Sequence, residues 1–169
     1  MRTAPNRPLL AVLLLALSAG NVAIVPVHAA KPANMSATPQ ASPQEAKARA
    51  VFDDYVRLGE AFDPALADLY ADTAKISNRR VFPDGTTREM AMPATSYKPL
   101  LRRVMPVAKE QNDVSRYSDV RYTVEGDNVR IHATRHSVMK DYSAPHTLLV
   151  GPDTDGTWRV LEESGESRP

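Results

Sequence analysis

The chain has 169 residues, 21 Lys and Arg against 20 Asp and Glu, and no cysteine. The missing cysteines exclude disulfides, thiolate metal sites, a cysteine nucleophile and a lipid-modified cysteine. A formal charge of +1, with no basic block and no acidic tail, gives no case for nucleic acid or an anionic membrane as a partner.

Residues 1–30 read as a secretory signal peptide. Arg2 and Arg7 form a positive start, Leu9 to Leu17 is a short apolar run, and Val27-His28-Ala29 places small residues at a cleavage site after Ala29 or Ala30. The run is shorter than the roughly 20 apolar residues a membrane span needs. The expectation is therefore an exported protein, periplasmic or secreted, soluble and free of the membrane after cleavage. Residues 31–42, rich in Pro, Ala, Ser and Thr, read as a flexible linker. The folded domain is assigned to residues 43–165, and 166–169 to a C-terminal tail. About 125 residues suffice for one ordinary core.

Ser42-Pro43-Gln44-Glu45 is a helix start, with Ser42 as cap, Pro43 in the first turn and Glu45 completing a capping box. Ala48, Val51, Phe52, Tyr55, Val56 and Leu58 recur at helical spacing. Asp63-Pro64 restarts a short second helix carrying Leu66, Leu69 and Tyr70. Lys75 to Phe82 reads as a strand, Pro83-Asp84-Gly85-Thr86 as a turn and Thr87 to Met92 as its return strand. Ser96 to about Lys109 is a third helix, ended or kinked at Pro106.

From Val114 the period changes to two. Tyr117 to Val124, Val129 to Arg135, His146 to Val150 and Trp158 to Glu162 read as four antiparallel strands in a meander, with Tyr142 to Pro145 in a loop. Helices segregated onto one antiparallel sheet define an α+β domain.

The Asp63-Pro64 helix ending in Leu69-Tyr70-Ala71-Asp72, the third helix after a hairpin, and the Asp155-Gly156-Thr157-Trp158 turn into a last strand together give a chain that resembles the nuclear transport factor 2-like (SnoaL-like) superfamily over residues 43–165. The resemblance implies three N-terminal helices on a curved antiparallel sheet forming a cone around a pocket. It also implies pairing through the sheet into homodimers. Enzymes on this fold include cyclases, isomerases and dehydratases, but no catalytic residue is carried over from them.

The Gly126-Asp127 turn sets a register in which Val124 faces Val129, Tyr122 faces Ile131, Val120 faces Ala133 and Ser118 faces Arg135, on one mostly apolar, concave face. Arg121 with His132, Asp119 with Thr134 and Tyr117 with His136 then occupy the other face. Around Asp155-Gly156, Val160 aligns with Gly151 and Glu162 with Leu149, and both strand residues join the concave face. Arg135 and Glu162 become the charged pair of the pocket, orienting a small polar or anionic ligand or closing a structural ion pair. Tyr122, Trp158 and His146 are further pocket candidates, and Tyr142 is a lid residue at the mouth.

His132 and His136 stand roughly 13 Å apart along a strand, so they cannot share a metal ion. The three histidines of the domain read as surface or interface residues, and neither a metal nor a cofactor is expected. A general acid/base pair of His146 with Asp119 would need a convergence that spacing does not supply. Two functions follow. One is a non-catalytic module binding a small molecule in the cone or a protein on the sheet. The other is a cyclase, isomerase or dehydratase acting on a small hydrophobic substrate, which requires a pocket base of shifted pKa. An open cone points to a ligand or substrate, and a filled one to an interaction protein.

Overall fold

The computed structural model describes residues 41–168. The signal-peptide assignment and most of the linker lie outside them. Among the described residues no helix is long and apolar enough to cross a membrane.

Helix α1 (Pro43–Glu60) begins as its sequence dictates. The Ser42 hydroxyl accepts from the Glu45 backbone N–H at 3.1 Å, and Pro43 fills the first turn. Beyond its last residue, Glu60, the chain turns at Phe62, which takes φ 55°, a left-handed conformation uncommon for a bulky residue. Asp63 caps the next segment through the Ala65 N–H, at 2.9 Å. That segment, Pro64–Leu69, is a single 3-10 helix.

Strand β1 (Tyr70–Val81) starts at Tyr70, five residues earlier than the sequence suggests, so Tyr70 and Ala71 belong to the sheet and not to the second helix. Strand β2 (Thr87–Pro93) returns beside it. Helix α2 (Ala94–Gln111) runs through both Pro99 and Pro106. Pro106 thus neither ends it nor marks its boundary. Leu101 and Met105 are buried on the intervening turn, and that packing offsets the missing backbone donors. Lys98 ties α2 to β1, donating to the Tyr70 carbonyl at 3.0 Å and to Asp72 at 2.6 Å.

Strands β3 (Ser115–Glu125), β4 (Asn128–Ser137), β5 (Tyr142–Pro152) and β6 (Trp158–Ser167) form the expected meander. Sheet order is β2-β1-β6-β5-β4-β3, with β6 parallel to β1. The parallel pairing extends β6 to Ser167, past the assigned domain end. Antiparallel pairing with β4 draws residues 142–145 into β5, so Tyr142 sits on a strand opposite Ser137 and not in a loop.

Two bulges re-aim the side chains. In β3 the register shifts between Ser118 and Arg121, with Asp119 at φ 53°. Near the turn Val124 faces Val129 and Tyr122 faces Ile131, as expected, but beyond the bulge Tyr117 faces Arg135 and Ser118 faces Thr134. Tyr117 therefore turns inward and Ser118 outward, the reverse of an unbroken alternation. In β6 the register shifts at Leu161: Val160 faces Val150, while Glu162 faces Leu149 and Glu163 faces Leu148. Val160 and Glu163 point inward; Glu162 points outward.

The core lies between α1, α2 and the concave face. Tyr70, Val129, Ile131, Leu148, Val150 and Val160 are its most completely buried large side chains, each worth about 1.5–3 kcal/mol in apolar burial. At the end under the first turns of α1 the cone is filled. There Phe52 packs edge-on against Tyr122, Arg49 lies 4.1 Å from the Tyr122 ring, and Lys47 stands 5.6 Å from the Trp158 ring.

Candidate functional site

The other end of the cone is open. A cavity of about 440 Å³ lies between the C-terminal part of α1, α2 and the concave ends of β4, β5 and β6. The exposed lining residues Glu60, Val104 and Lys140 mark where it meets solvent.

Its inner wall is a hydrogen-bonded cluster around Glu163. The Tyr70 hydroxyl donates to one carboxylate oxygen, and the Tyr55 hydroxyl lies 3.4 Å from the other. The same Tyr55 oxygen is 3.3 Å from His146 Nε2. Tyr97 stacks edge-on against Tyr70 with ring centroids 5.3 Å apart, and Tyr117 lies 5.4 Å from the His146 ring. The sheet makes room for the imidazole: His146 pairs with Ala133 on one side and Gly165 on the other. A side chain at position 165 would begin 3.4 Å from His146 Nδ1.

Burial sets the protonation of these groups. It lowers the His146 pKa, an effect that Arg135 reinforces and Glu163 opposes, so the imidazole is neutral at ordinary pH. Burial, with the Glu163 charge adding to it, pushes Tyr55 and Tyr70 well above the usual phenol value. Burial also raises Tyr97, and raises Tyr117 to about 12. The phenols therefore remain donors, and Glu163 is the acceptor for Tyr55 and Tyr70.

Arg135 is a cationic group of the same cavity wall. Its Nε donates to Ser115 Oγ at 2.8 Å, and Nη1 reaches Tyr142 Oη at 3.5 Å. Asp113 lines the same region, with one carboxylate oxygen buried and without a partner among the described residues.

Of the six residues proposed from sequence, Arg135, Tyr142 and His146 line the cavity, whereas Glu162, Tyr122 and Trp158 do not. Glu162 is on the convex face, where it meets Arg130 at 3.4 Å and Lys75 at 3.9 Å. It does not pair with Arg135, because the Leu161 bulge gives the inward position to Glu163. Tyr122 and Trp158 face inward but belong to the filled end. His146 is 4% exposed and sits in the cavity wall, not on the surface. Asp119 lies in the exposed β3 bulge and takes a hydrogen bond from Ser118 at 3.1 Å, so it makes no pair with His146. His132 and His136 lie on the convex side, within 3.4 Å of Thr147 and 3.2 Å of Ser143 respectively. Among the described residues no three His, Asp or Glu side chains converge as metal ligands.

Sequence reasoning missed Glu163 and Tyr117, which only the bulges bring inward. The one signal available was the left-handed tolerance of Asp at position 119.

Neither a family model nor a curated protein matches the sequence. Solved structures do match by shape. One is an NTF2-like protein of unknown function from Pseudomonas putida KT2440, at TM-score 0.54 and 14% identity, covering 73% of this chain and 85% of the other. The chain has the nuclear transport factor 2-like fold. A second NTF2-like protein of unknown function, from Shewanella baltica OS155, matches at TM-score 0.52 and 12% identity over 73% of this chain and 93% of that one. A candidate ketosteroid isomerase from Shewanella frigidimarina matches at TM-score 0.51 and 15% identity over 70% and 94%. At these identities the nuclear transport factor 2-like likeness is one of fold, and any activity must be argued from the site.

Proposed function

We propose that this protein is an exported small-molecule-binding module whose ligand occupies the open end of the cone. The observation that carries the reading is the cavity itself. Its volume falls in the roughly 300–1000 Å³ range of small-ligand pockets, and it joins apolar walls to polar groups at fixed positions. The signal-peptide pattern of residues 1–30 supports action outside the cytoplasm. Pairing of two copies through the convex sheet face belongs to the same proposal. A thermal-shift screen of small aromatic and aliphatic compounds tests the reading. A binder selective for the native state raises the melting temperature. The rise disappears in Ala108→Trp, which places a large side chain in the cavity lining. Binders whose effect survives that substitution would contradict the assignment.

A second reading is supported by the neutral imidazole of His146 beside Glu163 and Tyr55. A neutral base next to a cluster of phenol donors is suited to moving a proton α to a carbonyl, the step that isomerases and dehydratases share. His146 would accept the proton, and the Tyr97 and Tyr117 hydroxyls, which make no hydrogen bond to Glu163, would stabilise developing negative charge. Deuterium exchange into a bound ketone, followed by NMR, separates the two readings. Catalysis requires exchange that His146→Gln abolishes. Binding alone leaves the ketone unexchanged.

A further inference from the structure

Two charged groups of the cavity lining, Glu163 and Arg135, differ in a way that specifies a ligand class. Glu163 is already served by two tyrosine hydroxyls. Arg135 has only neutral partners, Ser115 and Tyr142. Seven of the thirteen described arginines pair with a carboxylate; Arg135 is among the six that do not, and it alone of the described arginines lines the cavity. Among the described residues no carboxylate pairs with Arg135, although it is partly buried in the cavity wall. With Nε on Ser115 and one Nη1 hydrogen on Tyr142, three N–H groups of the guanidinium are left for an anion.

We propose that the cone binds a monocarboxylic acid bearing an aromatic ring, with the carboxylate on Arg135 and the ring among Tyr55, Tyr97 and Tyr117. This rests on the small-molecule reading above and narrows it. The ring partner follows from the walls: Tyr55 and Tyr117 already pack edge-on with centroids 5.9 Å apart, an arrangement that accepts another planar ring. A single negative charge follows from the lining. Lys140 is a second cation of the lining, its Nζ donating to the Arg168 carbonyl, but Glu60, Asp113, Glu163 and Glu166 also border the cavity, so a second charge on the ligand would meet more carboxylates than cations. A phosphate ester is disfavoured for that reason.

The test is calorimetric titration of the purified chain with 4-hydroxybenzoate and its neutral analogues 4-hydroxybenzamide and 4-hydroxybenzyl alcohol. The acid binds more tightly than either neutral analogue. Arg135→Gln weakens the acid on the order of tenfold to a hundredfold, the loss expected for a charge-assisted hydrogen-bonded pair, and leaves the neutral compounds unchanged. Arg135→Lys, which keeps the charge, restores part of the difference and serves as the check if the Gln variant does not fold. If the neutral analogues bind as well as the acid and Arg135→Gln changes neither, the carboxylate assignment is overturned while the small-molecule reading stands. If none of the three binds, this inference is overturned, and the reading of the cone as a receptor is then judged by its own thermal-shift screen.

Discussion

Glu162 and Glu163 are adjacent in β6 and serve opposite faces of the sheet. Glu162 closes a convex-surface bridge with Arg130 and Lys75, and Glu163 accepts from Tyr55 and Tyr70 inside the cone. Their substitutions should differ accordingly. Glu163→Ala leaves the buried Tyr70 hydroxyl without its acceptor and Tyr55 with His146 alone, and should cost about 1–3 kcal/mol in urea denaturation. Glu162→Ala removes a half-exposed ion pair and should cost less than about 1 kcal/mol. Equal losses would contradict the placement of the two side chains.

His146 makes stability depend on pH. Because burial lowers its folded pKa, the unfolded chain binds the proton more readily. The stability contributed by this group is complete above the unfolded value of about 6.5 and is lost as the pH falls toward the folded value. Urea midpoints should therefore drop on acidification across that range, and His146→Gln should flatten the drop. NMR titration of the imidazole should place its transition below the ordinary histidine value. A transition at or above it would mean that the ring is solvated or held as a cation.

The β3 bulge is held by Asp119 in a left-handed conformation. Asp119→Gly should be tolerated, since glycine adopts that conformation freely. Asp119→Ile should cost about 1–2 kcal/mol. Because the bulge is what turns Tyr117 inward, the Ile variant should also shift the buried phenol that titrates at about 12 toward the ordinary value. Spectrophotometric titration at alkaline pH reads this directly. Unchanged titration together with unchanged stability would show that the register does not depend on Asp119.

The helix start at Ser42 gives a simpler expectation. Ser42→Ala removes the acceptor for the Glu45 N–H and should destabilise the domain by about 1 kcal/mol, while Ser42→Asp should not. Thermal denaturation of the two variants checks it.

Much of the scaffold was legible in the chain because it is written in local signals. Ser42-Pro43, Asp63-Pro64, the Asp84-Gly85 turn and the Gly126-Asp127 turn each fix their own neighbourhood, and the helices and hairpins follow from them. The site was legible only in part. Arg135, Tyr142 and His146 line the cavity, but the alternation rule carried Ser118 and Glu162 inward in place of Tyr117 and Glu163. A bulge costs one residue and leaves little trace in hydrophobic pattern, yet it exchanges the two faces for everything beyond it. The parallel pairing of β1 with β6 was equally hidden. It depends on contacts between residues far apart in the chain, and nothing in either segment announces it.

The most direct test of a ligand-binding cone is an amide-resolved NMR titration of the protein with the binders found by thermal shift. The expected result is a set of saturable perturbations confined to the residues around Arg135, Tyr97, His146 and Gly165, absent in Ala108→Trp. Perturbations confined to the convex face around His132 and Thr147 would contradict the account and make the sheet surface the working part of the molecule.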